Sequence, residues 1–272
     1  DLVNGISSRI GFKAVSSDGL GINVSGYISN QNNVRMADFK SEHAGMGHFR
    51  LTPELTDNYT AHITFEDGSE KVYPLPKVKS SGYVLSVSNT DTDDLKIRVS
   101  TNETAKPDEE ITLIAQTNGQ VHFVSKNKLT SKTFNASIPK KRFPTGILQL
   151  TLFSAKNEPV AERLVFINHS DFLQIELSSD KQEYKKREKV KLTLDTKDPE
   201  GKPTLGSFSI AILDESKVPF NEADETTIIS NLLFSSDLKG FIEQPNYYFD
   251  EINEDKIRQL DILLLTQGWR RF

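Results

Sequence analysis

Most of this chain consists of short runs in which apolar and polar residues alternate, each run closed by turn-forming residues. Residues 10–14, 22–28 and 59–65 are such runs, and Asp67-Gly68 is one of the turn signals that follow them. Alternation with a period of two is the pattern of a strand with one buried face. Regular short strands between polar turns are typical of β-sandwiches. The sequence therefore predicts an all-β fold.

The same pattern recurs along the chain, which indicates tandem domains. Residues 173–177 have the apolar spacing of residues 95–99, and residues 190–194 match residues 111–113. The shift is about 78 residues, which is longer than the repeats of solenoids. Each copy is therefore expected to bury a core of its own.

A proline-rich break separates the first domain from the second. Pro74-Leu75-Pro76 does not fit a sheet interior, because proline has no N–H group to donate to a neighbouring strand. We predict three β-sandwich domains at residues 1–82, 83–170 and 171–272, the last of which also carries helical segments.

The C-terminal part of the chain changes from strand to helix character. Asp224 is the predicted N-cap of a short helix, and Asn253 is that of a second helix. The second helix has an apolar stripe that includes Ile257, Leu260 and Leu264. Because such a stripe favours burial, we expect this helix to pack on the last sandwich or on a domain beyond residue 272.

Several classes of protein are disfavoured by composition. The chain has no cysteine, which excludes disulfides, a thiol nucleophile, cysteine-bound metal centres and a thioester. Its net charge of −5 argues against a nucleic-acid partner, and the apolar run at residues 262–265 is far too short to span a membrane. Neither a nucleophile-elbow motif nor a phosphate-binding loop occurs. We predict that the protein is not an enzyme and has no catalytic residue, metal or cofactor.

Two of the five histidines lie close together, at His43 and His48. A metal site would need both imidazoles and a third ligand, for which Glu42 is the candidate. The spacing of five places the two side chains on opposite faces of a strand. The favoured alternative is that Gly45 and Gly47 form a turn or bulge between two strands.

An aromatic cluster near the C-terminus contains Tyr247, Tyr248 and Trp269. One interpretation is a platform on which sugar rings stack. The favoured alternative is that these rings seal the base of the last sandwich against the helices. The candidate binding residues are therefore Tyr247, Tyr248, Trp269, His43 and His48.

The N-terminal region resembles a macroglobulin-type domain of the α2-macroglobulin and complement superfamily. The resemblance is carried by the opening strand at residues 3–12, the Gly-Met-Gly turn within residues 43–49 and the Thr-Pro step before Tyr59. Residues 173–214 resemble a second such domain, although Lys186-Arg187 stands where the family usually has Pro-Gly. The resemblance implies tandem macroglobulin-like or immunoglobulin-like sandwiches. Thioester trapping is not implied, since the chain lacks the cysteine.

Residues 229–249 and 263–272 resemble large envelope proteins of Bacteroidota that pair macroglobulin-like domains with a C-terminal region similar to a TonB-receptor plug. This resemblance implies an exported protein, periplasmic or associated with the outer membrane, and a chain that is a piece of something longer. It also implies a partner in the envelope, for which a TonB-dependent outer-membrane system is the candidate.

The leading functional prediction is a non-enzymatic scaffold or protein-interaction module of a large exported envelope protein. Sheet edges offer unpaired N–H and C=O groups, so strand addition is a plausible mode of contact. The alternative is a carbohydrate-binding module that supports glycan uptake at the outer membrane, which rests on the aromatic cluster and on analogy of fold. A hydrolase would need a pocket in which carboxylates or histidines converge.

Overall fold

The protein is described by a computed structural model. It describes residues 1–90, 93–103, 110–128, 130–214, 216–218 and 221–267. Contacts divide the chain into two compact units. Unit 1 contains Asp1–Ile167 together with the described residues from Glu222 onward, and unit 2 contains Asn168–Asn221.

Six strands form the first sheet of unit 1. They are β1 (Ser8–Lys13), β2 (Val24–Asn30), β3 (Arg35–His43), β4 (Met46–Leu51), β5 (Tyr59–Phe65) and β6 (Glu70–Pro74). Their order is β1-β4-β3-β2-β5-β6, and every pair is antiparallel. Strand β3 pairs with β2 through its first part and with β4 through Ser41 and His43. Side chains from both parts of the sheet therefore share one core, which includes Val24, Ile28, Phe39, Phe49 and Tyr59.

Seven further strands form a sandwich of two sheets. They are β7 (Tyr83–Ser88), β8 (Asp94–Thr101), β9 (Glu110–Thr117), β10 (Gln120–Lys128), β11 (Thr133–Pro139), β12 (Gly146–Phe153) and β13 (Pro159–Ile167). One sheet has the order β11-β8-β7 and the other β10-β9-β12-β13. Their facing side chains form one core that includes Leu95, Ile97, Leu113, Leu150 and Val165. The predicted all-β class with sandwich packing is confirmed.

The described residues of unit 2 contain one pair of antiparallel strands, β14 (Gln174–Ser179) and β15 (Leu192–Lys197). The pairing sets Leu177 directly opposite Leu194, so these two side chains share a face of the sheet. Most residues of both strands are exposed. Two strands alone make a marginal sheet, because they bury little apolar surface.

The C-terminal part of unit 1 is helical, as predicted. It holds α1 (Ile228–Leu232), α2 (Glu254–Gln267) and short 3-10 helices at Glu222–Asp224, Ser235–Asp237 and Pro245–Tyr248. The predicted cap of α2 is confirmed, since the side-chain oxygen of Asn253 accepts a hydrogen bond of 3.0 Å from the N–H of Lys256. The predicted cap of α1 is wrong. Asp224 ends a 3-10 helix, and Thr227 caps α1 in a reciprocal pair with Ser230.

Helix α2 contacts β13 of the seven-strand sandwich and β1 and β4 of the first sheet. The sequence predicts that it packs on the last sandwich, whereas its apolar side chains are buried among these strands of residues 1–167. Neither helix in the described part of the chain has the length and apolar character needed to cross a membrane. The bounds 1–82, 83–170 and 171–272 stay a prediction, because grouping by contact does not show which parts fold independently.

The core of the seven-strand sandwich provides a test of this architecture. Leu150 is fully buried in the centre of β12, so Leu150→Ala should lower the free energy of unfolding by about 2–5 kcal/mol. Val124 is exposed on β10, and Val124→Ala should cost less than about 0.5 kcal/mol. Urea unfolding followed by circular dichroism measures both. Equal costs for the two variants would contradict the assigned faces.

Candidate functional site

Four of the five predicted binding residues lie where three parts of unit 1 meet. We call this region the junction. It consists of the tip of the β3–β4 hairpin, the outer face of β12 and β13, and the segment from Glu222 to Gln267. Its buried members are Met46, Ile147, Leu164, Phe166, Phe234, Ile242, Tyr248, Leu260, Ile262, Leu263 and Leu264. The fifth predicted residue, Trp269, lies outside the described residues.

The hairpin tip is a two-residue turn at Ala44-Gly45. Both residues have positive φ, at 45° and 70°, which is the conformation of a type I′ turn. A Cβ atom at Gly45 would lie 2.1 Å from the carbonyl oxygen of Ala14, so only glycine fits. The turn interpretation of this motif therefore describes the structure, and the turn aims the next residue, Met46, into the junction.

Met46 connects the first sheet to the rest of the junction. Its side chain is buried in the same cluster as Phe234, Tyr248 and Leu263 of the C-terminal segment and Phe166 of β13. The Thr266 hydroxyl of α2 lies 3.5 Å from its sulfur. Methionine is flexible and polarisable, which suits it to an irregular contact between three elements.

The aromatic side chains of the C-terminal segment pack against the β3–β4 hairpin. The imidazole of His43 stacks on Tyr247 with ring centroids 4.1 Å apart and contacts the ring of Tyr248 edge-on at 5.5 Å. The Tyr247 hydroxyl donates to Oε1 of Gln259 at 2.8 Å, and Nζ of Lys256 lies 4.8 Å from the centre of the Tyr247 ring. Tyr248 is 2% exposed. The rings therefore join the C-terminal segment to the first sheet, whereas the sequence expected them at the last sandwich.

The second histidine has a different partner. Nδ1 of His48 lies 3.1 Å from Oε1 of Glu42, whose Oε2 accepts a hydrogen bond of 2.8 Å from Nε of Arg258 in α2. Gln259 also donates to the carbonyl oxygen of Glu42, at 3.4 Å. His43 and His48 thus make separate contacts. Among the residues that the structure describes, no three histidine, aspartate or glutamate side chains are grouped so that they could hold a metal ion.

A carboxylate of α2 joins the two β-sheet parts of unit 1. Asp261 accepts from Arg9 of β1 through one oxygen and from Arg163 of β13 through the other, each at 2.5 Å. The Arg163 side chain is 7% exposed and also donates to the carbonyl oxygen of Leu164 at 2.9 Å. Burial lowers the pKa of the Arg163 guanidinium, and the charge of Asp261 opposes that shift. Among the residues that the structure describes, Asp261 is the ion-pair partner of this buried arginine.

Sequence reasoning missed the pair of Asp261 and Arg163. The available signal was a charged residue beside or within an apolar pattern, since Arg163 precedes the run Leu-Val-Phe-Ile and Asp261 interrupts the apolar stripe of α2. Buried charges of opposite sign are usually paired. That rule identifies two candidates for pairing, but it does not show that they meet.

The chain matches no protein-family model and no curated protein. The resemblance to macroglobulin-type domains and to Bacteroidota envelope proteins therefore stays a prediction that rests on the motifs quoted above.

Removal of the Asp261 carboxylate tests the charged contact. Asp261→Ala leaves Arg163 buried without a counter-charge and should lower the free energy of unfolding by about 3–5 kcal/mol. Asp255 lies on the same helix and pairs with Arg258 on the exposed surface, so Asp255→Ala should cost at most about 1 kcal/mol. Urea unfolding compares the two variants. A loss of less than about 1 kcal/mol for Asp261→Ala would show that the contact is dispensable.

The junction should also weaken in mild acid. Burial lowers the pKa of His43 below 6.5, as does Lys256, while Glu243 raises it. A histidine with a lowered pKa in the folded state stabilises the fold above its ordinary pKa, and this contribution is lost as the pH falls through the lowered pKa. Burial lowers the pKa of His48 too. The free energy of unfolding should therefore decrease as the pH falls below about 6.5.

The control for this pH dependence is an exposed, non-titrating residue outside the junction. His43→Gln should flatten the decrease between pH 7.5 and 5.5, whereas Val124→Ala should leave it unchanged. Urea titrations at five pH values in this interval give the slopes. Identical slopes for wild type and His43→Gln would contradict a role for His43.

Proposed function

We propose that this chain is a non-enzymatic scaffold and protein-interaction module whose unit 1 holds the first sheet and the seven-strand sandwich in one fixed arrangement. The observation that carries the proposal is the junction, in which both β-sheet parts and the C-terminal segment contribute to a single buried cluster. Adjacent domains that share only a small polar interface move relative to one another. A shared apolar core opposes that motion.

Charge and shape act together in this arrangement. Met46 enters the cluster from the first sheet, and Leu164 and Phe166 enter it from β13. Asp261 then sets the position of α2 along both strands, because its two oxygens have separate arginine partners. Paired charges in partly buried positions favour one arrangement over its alternatives. A fixed arrangement of its two β-sheet parts is useful in a protein that positions other components.

The place of this scaffold in the cell is proposed from the resemblance of the sequence. We place it in an exported envelope protein, periplasmic or associated with the outer membrane, with an envelope protein as its partner. A TonB-dependent outer-membrane system is the candidate partner. Fractionation of the source cells with an antibody against residues 1–167 tests the location, and recovery in the cytoplasmic fraction would contradict it.

Glycan binding at the C-terminal aromatic cluster gains no support from the described rings. A ring that stacks on a sugar must offer an open face. Tyr248 is buried, and Tyr247 stacks on His43 and carries Lys256 over its ring. We therefore do not extend the proposal to a carbohydrate ligand.

Distance measurements between two spin labels test the fixed arrangement. The chain has no cysteine, so Val72→Cys on β6 and Val124→Cys on β10, both exposed, accept labels at two defined sites. Pulsed electron–electron double resonance should give one narrow distance distribution. Added Asp261→Ala should broaden it, and added Asp255→Ala should not. A broad distribution in the otherwise unchanged protein would contradict the proposal.

A further inference from the structure

A long stretch of this acidic chain contains no acidic residue. Residues 111–157 include seven lysines and arginines and no aspartate or glutamate. The whole chain has a net charge of −5, so the other residues together carry −12. Surface charges of both signs are usually interspersed, whereas a surface of one sign attracts partners of the opposite sign. The stretch therefore forms a basic surface on an otherwise acidic protein.

The fold places these cations beside one sheet edge. Strand β10 is the terminal strand of its sheet, and in the described part of the chain it pairs with β9 alone. Lys126 lies on β10 and is exposed. The basic 3-10 helix Lys140–Arg142 lies beside the same strand, because Cζ of Arg142 is 5.9 Å from the centre of the Phe123 ring. Charge from two elements is thus brought together at the edge of β10.

The cations at this edge are not neutralised within the described residues. Lys126 on β10 and Lys141 and Arg142 in the 3-10 helix are exposed. None of these three forms an ion pair with a described aspartate or glutamate. The junction arginines, by contrast, are paired. Unpaired surface cations favour a partner with a complementary charge.

Strand β10 offers main-chain groups as well as charge. A terminal strand of an antiparallel sheet directs every second N–H and C=O group away from its neighbour. A bulge lies between Val121 and Phe123, and the register with β9 is regular from Phe123 to Lys128. An added strand needs a regular edge, since its hydrogen bonds recur at every second residue. Residues 123–128 can therefore pair with one more strand.

The exposed side chains of this edge specify a pattern for the added strand. Val124, Lys126 and Lys128 alternate along β10, so they lie on one face of the sheet, and all three are exposed. Pairs of opposite charge and pairs of apolar residues are favourable across neighbouring strands. The added strand should therefore carry one apolar and two acidic residues at alternate positions.

We propose that the free edge of β10 binds an extended acidic segment of a partner protein by strand addition. This inference rests on the proposed function of the chain as a protein-interaction module. Main-chain hydrogen bonds supply affinity, and Lys126 with its neighbouring cations selects acidic segments. A nucleic acid or an anionic lipid surface would use the cations but would not form the regular hydrogen bonds of an added strand.

Lysines on a sheet edge can instead serve only to prevent pairing with another sheet. Such protection needs charge on the strand itself, whereas the stretch without acidic residues continues through the 3-10 helix and as far as residue 157. An edge that is only protected binds no acidic strand, which makes the two roles distinguishable by experiment.

A fluorescent peptide tests the strand addition. The peptide Thr-Val-Thr-Glu-Thr-Glu-Thr has the expected pattern, and fluorescence anisotropy at low ionic strength should give a dissociation constant below about 1 mM. The same peptide with lysine in place of both glutamates should bind at least about tenfold more weakly, because like charges repel across strands. Equal binding of the two peptides would contradict selection by charge.

A charge reversal on the protein locates the binding edge. Lys126→Glu should raise the dissociation constant of the acidic peptide at least about tenfold. The matched control is Lys71→Glu, which makes the same change at an exposed lysine of β6, the terminal strand of the first sheet. It should leave the constant within about twofold, since the two edges belong to different sheets. Equal losses in both variants would place the peptide elsewhere.

Two N-methylated peptides separate strand addition from attraction of charge alone. N-methylation removes N–H donors without a change of charge, and alternate N–H groups of an added strand face opposite sides. Methyl groups on one alternate set should abolish binding, whereas methyl groups on the other set should leave the dissociation constant within about threefold. The same effect from both sets would overturn strand addition.

The remaining outcomes also decide the proposal. If the acidic peptide does not bind, the lysines only protect the edge and the proposal fails. Binding of oligouridine or of phosphatidylglycerol vesicles without binding of the peptide would assign the cations to another class of partner and overturn it. Dimers in sedimentation equilibrium that Lys126→Glu dissociates would assign the edge to a second copy, with the same consequence. None of these results affects the fixed arrangement of unit 1, because the spin-label distances test it separately.

Discussion

The placement of α2 depends on one carboxylate between two arginines. Asp261 reaches Arg9 of β1 with one oxygen and Arg163 of β13 with the other. Because Arg163 is buried, its charge needs a partner in one defined position, whereas apolar contacts alone would tolerate a shifted helix. Once α2 is set in this way, its leucines meet the outer face of β13 and Met46, and Arg258 reaches Glu42.

The position that Asp261 gives to α2 explains why a C-terminal segment completes the packing of residues 1–167. Strand β13 is buried on both sides over its last residues, with Val165 in the sandwich core and Leu164 and Phe166 in the junction. A strand of an antiparallel sandwich usually has one solvent-facing side. Here the segment from Glu222 onward covers that side. The hairpin turn at Ala44-Gly45 supplies the contact from the first sheet.

Local patterns in the sequence predicted the parts of the fold that local physics determines. Alternation found strands such as β1, β2 and β5 because the strand period is two, and the Asn253 cap was found because its side chain bonds a backbone group three residues away. Several residues that can cap a helix stand close together before α1. The sequence pattern therefore predicted the cap at Asp224, whereas the structure has it at Thr227. The meeting of Asp261 with Arg163 is a contact across 98 residues, which no periodicity contains. The aromatic residues were found, but their packing on His43 depends on that same long-range placement.

Native-state hydrogen exchange tests the central claim most directly, because it measures whether α2 opens alone or with the sheets it joins. The amides of Leu260 to Leu264 should exchange with an opening free energy close to that of Val165 in β13, and Asp261→Asn should lower the value for α2 more than the value for β13. If these α2 amides of the wild type exchange orders of magnitude faster than the amide of Val165, the helix opens independently of the sheets. That result would contradict this account.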